Sequence, residues 1–130
     1  MTRVFLCDDS PELRFLLRTF LEAEGDLAVV GEAGECEDLG RAMHDSAADV
    51  VVLDLSMPRS DGLAALPALR EAVPDLGIVV LSGFDRGRMA ARALALGADS
   101  YLEKTCGMDA VRATVRAAAT GRRNARSRRA

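Results

Sequence analysis

Five short apolar runs, Val4–Cys7, Ala28–Val30, Val50–Leu53, Ile78–Leu81 and Ser100–Leu102, begin 22 to 28 residues apart and constrain this chain more than any other feature. Each has the length of a strand. Val4–Cys7, Val50–Leu53 and Ile78–Leu81 are unbroken and rich in Val, Ile and Leu, the pattern of parallel strands covered on both faces. Between the runs the apolar period becomes that of a helix. Leu13, Leu16, Leu17, Phe20 and Leu21 form one stripe, and Leu39, Ala42 and Met43 a weaker one. Leu66, Leu69 and Val73, then Met89, Ala93 and Leu96, then Met108, Val111 and Val115 repeat it. Ser10-Pro11 predicts a cap and first-turn proline for the first helix, and Asp61-Gly62 a turn before the third. Gly25 and Gly97 close the first and fourth helices, and Pro74 stops the third. Five strands alternating with five helices predict an α/β, doubly wound (βα)5 domain with a five-stranded parallel sheet.

The chain of 130 residues is long enough to close one hydrophobic core. No apolar run approaches the ~20 residues of a membrane span, and Met1-Thr-Arg leads into too short an apolar stretch for a secretory signal, so the expected address is cytoplasmic. Three cysteines, 29 and 70 positions apart, form neither a disulfide framework nor a zinc-ligand spacing and read as reduced, small apolar residues. The net charge of −3 hides an asymmetry, because the last nine residues hold five arginines and no acid. Residues 1–121 therefore read as the folded domain, and 122–130 as an Arg-rich tail or truncated linker.

In open α/β sheets ligands bind beyond the carboxyl ends of the strands. The residues there are Asp8-Asp9, Asp54, Ser82 and Glu103-Lys104. Three carboxylates gathered at one edge repel one another, and a hard cation such as Mg²⁺ resolves the repulsion while sharing its shell with a phosphate. A strand-end carboxylate can attack phosphorus to give an acyl phosphate. The transition state then needs positive charge and donors at the equatorial oxygens, roles suited to Lys104 and Ser82. Lys104 is the single lysine beside sixteen arginines, a compact point charge placed where a phosphate would sit.

The segments VFLCDDSPELRFLL, VVLDLSMPRSDGL, VVLSGFD and GADSYLEKT resemble the four signature segments of bacterial response-regulator receiver domains, and the likeness runs from about Arg3 to Gly121. The ending GADSYLEKT with AVRATVRAAATG is similar to the NarL/FixJ (LuxR-type) branch. The resemblance implies a flavodoxin-like sheet of strand order 2-1-3-4-5. It implies that Asp54 is the phospho-acceptor and that Asp8, Asp9, Asp54 and the backbone carbonyl of Ser56 hold Mg²⁺. Ser82 takes the place of the switch hydroxyl, Tyr101 that of the switch aromatic, expected to swing inward behind Ser82, and Lys104 that of the family's lysine. Two departures stand out: Thr105 follows the lysine where most receivers have a cis proline, and bulky Phe84 lies two residues past Ser82. With Ser56, Phe84 is expected to modulate the lifetime of the phosphorylated state.

The function this implies is a two-component switch phosphorylated by a cognate sensor histidine kinase or a small phosphodonor. Homodimerisation on phosphorylation is expected through the fourth and fifth or the first and fifth helices. DNA would be reached only through a C-terminal domain absent from this chain. Bland readings exist for each residue: Asp8 and Asp9 as helix caps, Asp54 and Ser82 as turn residues, and Tyr101 as a half-buried strand aromatic. The convergence of four strand ends favours the site. His44 reads as a surface residue rather than a phosphohistidine relay. The alternative class is a degenerate receiver fold that binds partners without phosphorylation. An aspartate-nucleophile phosphatase is disfavoured, because that chemistry wants a second acid where Ser56 stands, so the chain is not expected to be an enzyme beyond slow self-dephosphorylation.

Overall fold

The computed structural model describes residues 1–57, 61–83 and 86–129; the side chains at 86, 88, 123–126 and 129 are also outside the description. Phe84 falls outside it, as does Pro58 of the acceptor segment. Ten elements alternate as β1 (Thr2–Cys7), α1 (Pro11–Glu22), β2 (Leu27–Ala33), α2 (Leu39–Ser46) and β3 (Val50–Leu53). They continue as α3 (Gly62–Ala72), β4 (Gly77–Ser82), α4 (Arg86–Ala95), β5 (Ser100–Glu103) and α5 (Met108–Arg129). The strands are all parallel and lie in the order β2-β1-β3-β4-β5, a doubly wound, flavodoxin-like receiver fold.

Alternation along the strands divides the core into two layers. Phe5, Cys7, Val51, Leu53, Ile78 and Val80 face one side with Leu39, Met43, Leu66 and Leu69 of α2 and α3. Val4, Leu6, Val50, Val52, Val79 and Leu81 face the other with Leu17 and Leu21 of α1 and Val111 and Val115 of α5. Because both faces are covered, the three central strands carry no polar alternation.

The helix signals act as read. Ser10 Oγ accepts from the Leu13 N–H at 3.2 Å with Pro11 at the first helical position, and Asp61 Oδ1 accepts from the Ala64 N–H at 3.1 Å to start α3. Gly25 (φ 81°) follows α1 and Gly97 (φ 121°) follows α4 in the left-handed region. The β1–β2 register shifts between Val4 and Phe5, placing Gly31 opposite Phe5. A Cβ at Gly31 would lie 2.6 Å from the Phe5 ring, so glycine lets the ring lie across β2.

One expectation is corrected. Leu16 belongs to the apolar stripe of α1 by spacing, yet it is 54% exposed beside exposed Phe15, because Leu13, Leu17 and Leu21 already fill the space above the sheet. Helix α5 runs on through the arginine-rich segment to Arg129. Arg122 grips Asp99, which also accepts from Arg70 Nη2 at 3.1 Å and from the Ile78 N–H at 2.8 Å. That cluster locks α3, α5 and the start of β4 together at the sheet edge opposite the strand carboxyl ends. On the α1–α5 seam, Arg112 stacks over the Phe20 ring at 4.0 Å and donates to Glu24 Oε1 at 2.6 Å.

The contrast between neighbours on α1 is testable by urea unfolding. Leu17→Ala, at a side chain 1% exposed, is expected to cost about 2–5 kcal/mol. Leu16→Ala is expected to change stability by no more than about 0.5 kcal/mol.

Candidate functional site

The carboxyl ends of β1, β3, β4 and β5 meet at one edge, and each delivers a polar residue. Asp54 follows β3 and is 1% exposed, and its N–H is held by the Cys7 carbonyl at 2.9 Å. Its Oδ1 accepts from the Ser56 N–H at 2.8 Å and from the Ser56 hydroxyl at 2.5 Å, and its Oδ2 accepts from Lys104 Nζ at 2.9 Å. The carboxylate is thus oriented from both sides.

Asp8 follows β1 and is 3% exposed. Its Oδ1 accepts from the Ser10 N–H at 2.8 Å and its carbonyl from Arg14 Nη1. Its Oδ2 forms an ion pair with Lys104 Nζ at 3.2 Å but is a buried oxygen with no hydrogen bond. Exposed Asp9 completes a triad in which one oxygen each from Asp8, Asp9 and Asp54 lie within 4.8 Å of one another. Burial pushes the Asp8 carboxyl up; the Ser10 N–H pulls it down, the Asp54 charge adds to the rise, Lys104 offsets part, and the net direction is upward. For Lys104, burial opposes the charge, but the hydrogen bond to Asp54 and the attraction of Asp54 and Asp8 outweigh it and hold its pKa above the ordinary value.

Lys104 is aimed by its backbone, whose N–H donates to the Ser82 carbonyl at 2.7 Å as β5 leaves the sheet beside β4. Ser82 is fully buried at the end of β4, and its neighbour Gly83 donates to Ser56 Oγ at 3.5 Å. Tyr101 pairs with Val80 in the β4–β5 register and is only 2% exposed, so the ring is already inside rather than awaiting an inward swing. Thr105 sits in a turn closed by Cys106 N–H to Glu103 carbonyl at 3.0 Å, and among the described residues no peptide is cis. His44 is exposed on α2, with Nε2 3.2 Å from the Ala72 carbonyl and remote from the pocket.

The structure brings together Asp8, Asp9, Asp54, Ser56 and Lys104 and sets Ser82 and Tyr101 behind them. Three participants escaped sequence reasoning. The Ser56 hydroxyl, read in sequence as a modulator of phosphoryl lifetime but not as a partner of the acceptor, donates to the Asp54 carboxylate. Arg14 bridges the Asp8 carbonyl and Glu32 Oε1, the latter at 2.9 Å. Gly62 passes so close that a Cβ there would lie 2.7 Å from Leu55 Cδ2 and 3.2 Å from the Asp54 carbonyl. Only the Asp61-Gly62 turn signal hinted at the last.

A parallel sheet of this order with an acidic triad and a lysine at its strand ends defines the receiver class of signalling domains. The chain belongs to the response regulator receiver domain family, whose model matches residues 4–116. It is 41% identical over 106 residues to a protein-glutamate methylesterase/protein-glutamine glutaminase of Maricaulis maris, covering 80% of this chain and 26% of the relative. It is 34% identical over 119 residues to the transcriptional regulatory protein YxjL of Bacillus subtilis, covering 92% and 55%. A two-component response regulator of the LuxR family from Aurantimonas sp. SI85-9A1 superposes with a TM-score of 0.86 at 27% identity, covering 93% of this chain and 87% of that one. The relatives include response regulators of the LuxR/NarL type. The chain spans about a quarter to just over half the length of these curated relatives, matching their receiver portion. Among the described residues no helix is long and apolar enough to cross a membrane.

Lys104 is the cation that joins the two buried carboxylates. A carboxyl whose pKa is raised by the fold contributes stability below its unfolded value and loses it as pH rises through the folded one; without the ammonium that loss grows. Lys104→Met is therefore expected to cost about 1–3 kcal/mol at neutral pH. The deficit should shrink as the pH falls through the raised pKa of Asp8, beginning above the ordinary carboxylate value of about 4, as read by urea unfolding across pH.

Proposed function

We propose that the chain is a phospho-acceptor receiver that takes a phosphoryl group on Asp54 and uses the change to alter partner binding. The observation that supports this most is the Asp54 carboxylate held between the Ser56 hydroxyl and Lys104 Nζ at 2.5 and 2.9 Å, beside Asp8 and Asp9. A carboxylate oxygen of Asp54 attacks phosphorus while the bond from phosphorus to the donor's leaving group breaks. The donor is a phosphohistidine of a cognate sensor kinase or a small acyl phosphate. Lys104 then leaves its carboxylate pair to meet the new phosphoryl oxygens, joined by the Ser82 hydroxyl.

The donor set fits a hard divalent cation such as Mg²⁺. Asp8 Oδ2 is buried without a hydrogen bond, three carboxylates converge, and the Ser56 carbonyl offers a further oxygen. When bound, that cation supplies charge neutralisation between the carboxylates and the incoming phosphate. Asp8, Asp9, Asp54 and Ser56 would hold it.

Phosphorylation adds roughly one to two negative charges at the strand ends. Ser82 and the buried Tyr101 connect that charge to the surface formed by α4, β5 and α5, where a second copy of the chain would dock in a phosphorylation-driven homodimer. A transcriptional output would act through a DNA-binding domain beyond this chain, by analogy with the LuxR/NarL-type relatives. The position of Tyr101 favours one second reading, a module whose switch surface is already set and which binds partners without phosphorylation.

Incubation with acetyl phosphate separates the two. The account predicts one phosphoryl group by intact mass, dependent on Mg²⁺ and absent from Asp54→Asn and strongly reduced in Asp9→Ala. No adduct favours the phosphorylation-independent module, and an adduct that survives Asp54→Asn overturns Asp54 as the acceptor.

A further inference from the structure

Cys7 is the last residue of β1, wholly buried and adjacent in sequence to Asp8. Its thiol donates to the carbonyl of Glu35 at 3.2 Å, which places the next residue, Cys36, beside it in the same core layer. The register explains the meeting. Cys7 pairs with Ala33 at the end of β2, and the Asp8 N–H donates to the Ala33 carbonyl at 3.0 Å. The chain leaving β2 therefore turns over the strand end and sets Cys36 against Cys7, in the same core layer.

The two sulfurs differ in access. Cys7 is walled in, whereas half-buried Cys36 lines an open groove of about 330 Å³ between α2 and α3, together with Asp38, Leu39, Ala65 and Leu69. A small oxidant in that groove meets Cys36 first. Cys106, the third cysteine, packs on the opposite face of the sheet with the α1 and α5 layer, and is no part of the pair.

We infer that Cys7 and Cys36 are a redox-closable thiol pair, oxidised to a disulfide by a peroxide, that weakens the acidic pocket when closed. The regulatory part rests on reading that pocket as a phospho-acceptor site. The peroxide O–O bond breaks as the Cys36 sulfur takes one oxygen to become a sulfenic acid, releasing one water. The Cys7 sulfur then attacks the Cys36 sulfur, the S–O bond breaks, and the oxygen leaves with two protons as a second water. Two thiols give up two electrons in all, and the peroxide accepts both.

A disulfide of about 2.0 Å is shorter than any non-bonded approach of two sulfurs, so the chain must move to close it. Cys7 is fixed in the sheet between β2 and β3, while Cys36 lies in the loop before α2, so the loop moves. That loop begins at Ala33, whose carbonyl holds the Asp8 N–H, and Arg14 ties Glu32 of β2 to the Asp8 carbonyl. Displacement is transmitted straight to Asp8, whose Oδ2 depends on its placement beside Lys104.

The full chain should be treated with hydrogen peroxide, mapped under non-reducing conditions, and titrated with Mg²⁺ by calorimetry alongside acetyl phosphate labelling. The expected result is a Cys7–Cys36 linked peptide, Mg²⁺ affinity and labelling rate lowered about fivefold or more, and recovery with dithiothreitol. Cys36→Ser under the same peroxide should keep the affinity and labelling of untreated protein. Absence of the Cys7–Cys36 linkage, a linkage that leaves both readouts unchanged, or the same losses in Cys36→Ser would overturn the inference. Reduced wild type that takes up no phosphoryl group would instead overturn the phospho-acceptor reading, and the regulatory claim with it; the mass map reports the linkage independently of that outcome.

Discussion

The rest of the structure is arranged around one ion pair. Lys104 Nζ lies 2.9 Å from Asp54 Oδ2 and 3.2 Å from Asp8 Oδ2, at carboxylates that are almost completely buried. Two such charges in a low-dielectric edge, with Asp9 beside them, are tolerable only with a cation between. The sheet supplies the geometry: β5 lies next to β4, and the Ser82 carbonyl receives the Lys104 N–H, so the ammonium is delivered over the ends of β1 and β3. On the proposed reading, a bound cation would compete with this ammonium for the carboxylates, and a new phosphoryl group would compete with the carboxylates for the ammonium.

The far edge of the sheet is built in the opposite spirit. There Asp99 is surrounded by Arg70, Arg122 and the Ile78 N–H, and Arg112 and Arg116 tie α5 to Glu24 and Asp26. Each of these acids is paired with at least one arginine, whereas at the other end Asp8 and Asp54 share one lysine. The fold thus separates a tightly cross-braced edge from an edge where charge is left under tension.

Much of this was legible in the sequence, for identifiable reasons. Unbroken Val, Ile and Leu runs such as Val50–Leu53 admit no reading but strands covered on both faces, and the residue after each run is then at the ligand edge. Asp8, Asp9, Asp54 and Lys104 were accessible by that rule alone, and Ser82 through its company. What escaped was set by three-dimensional crowding rather than periodicity. Leu16 fits the apolar stripe but is displaced by Leu17 and Leu21. The arginine run reads as a tail or linker by composition, and what composition did not reveal is that α5 continues through it, with Arg122 paired to Asp99 23 residues away. The Arg14 bridge and the Cys7–Cys36 contact depend on the turn after β2, for which no local motif exists.

The membership in the receiver family and the geometry of its strand ends make the phospho-acceptor reading an account of charge: carboxylates restrained by one lysine until a phosphoryl group relieves them. A double-mutant cycle in urea at neutral pH, with Lys104→Met, Asp54→Asn and the pair, measures that restraint directly. The account predicts a coupling energy of about 1–3 kcal/mol between the two positions. Costs that add to within about 0.3 kcal/mol would contradict it.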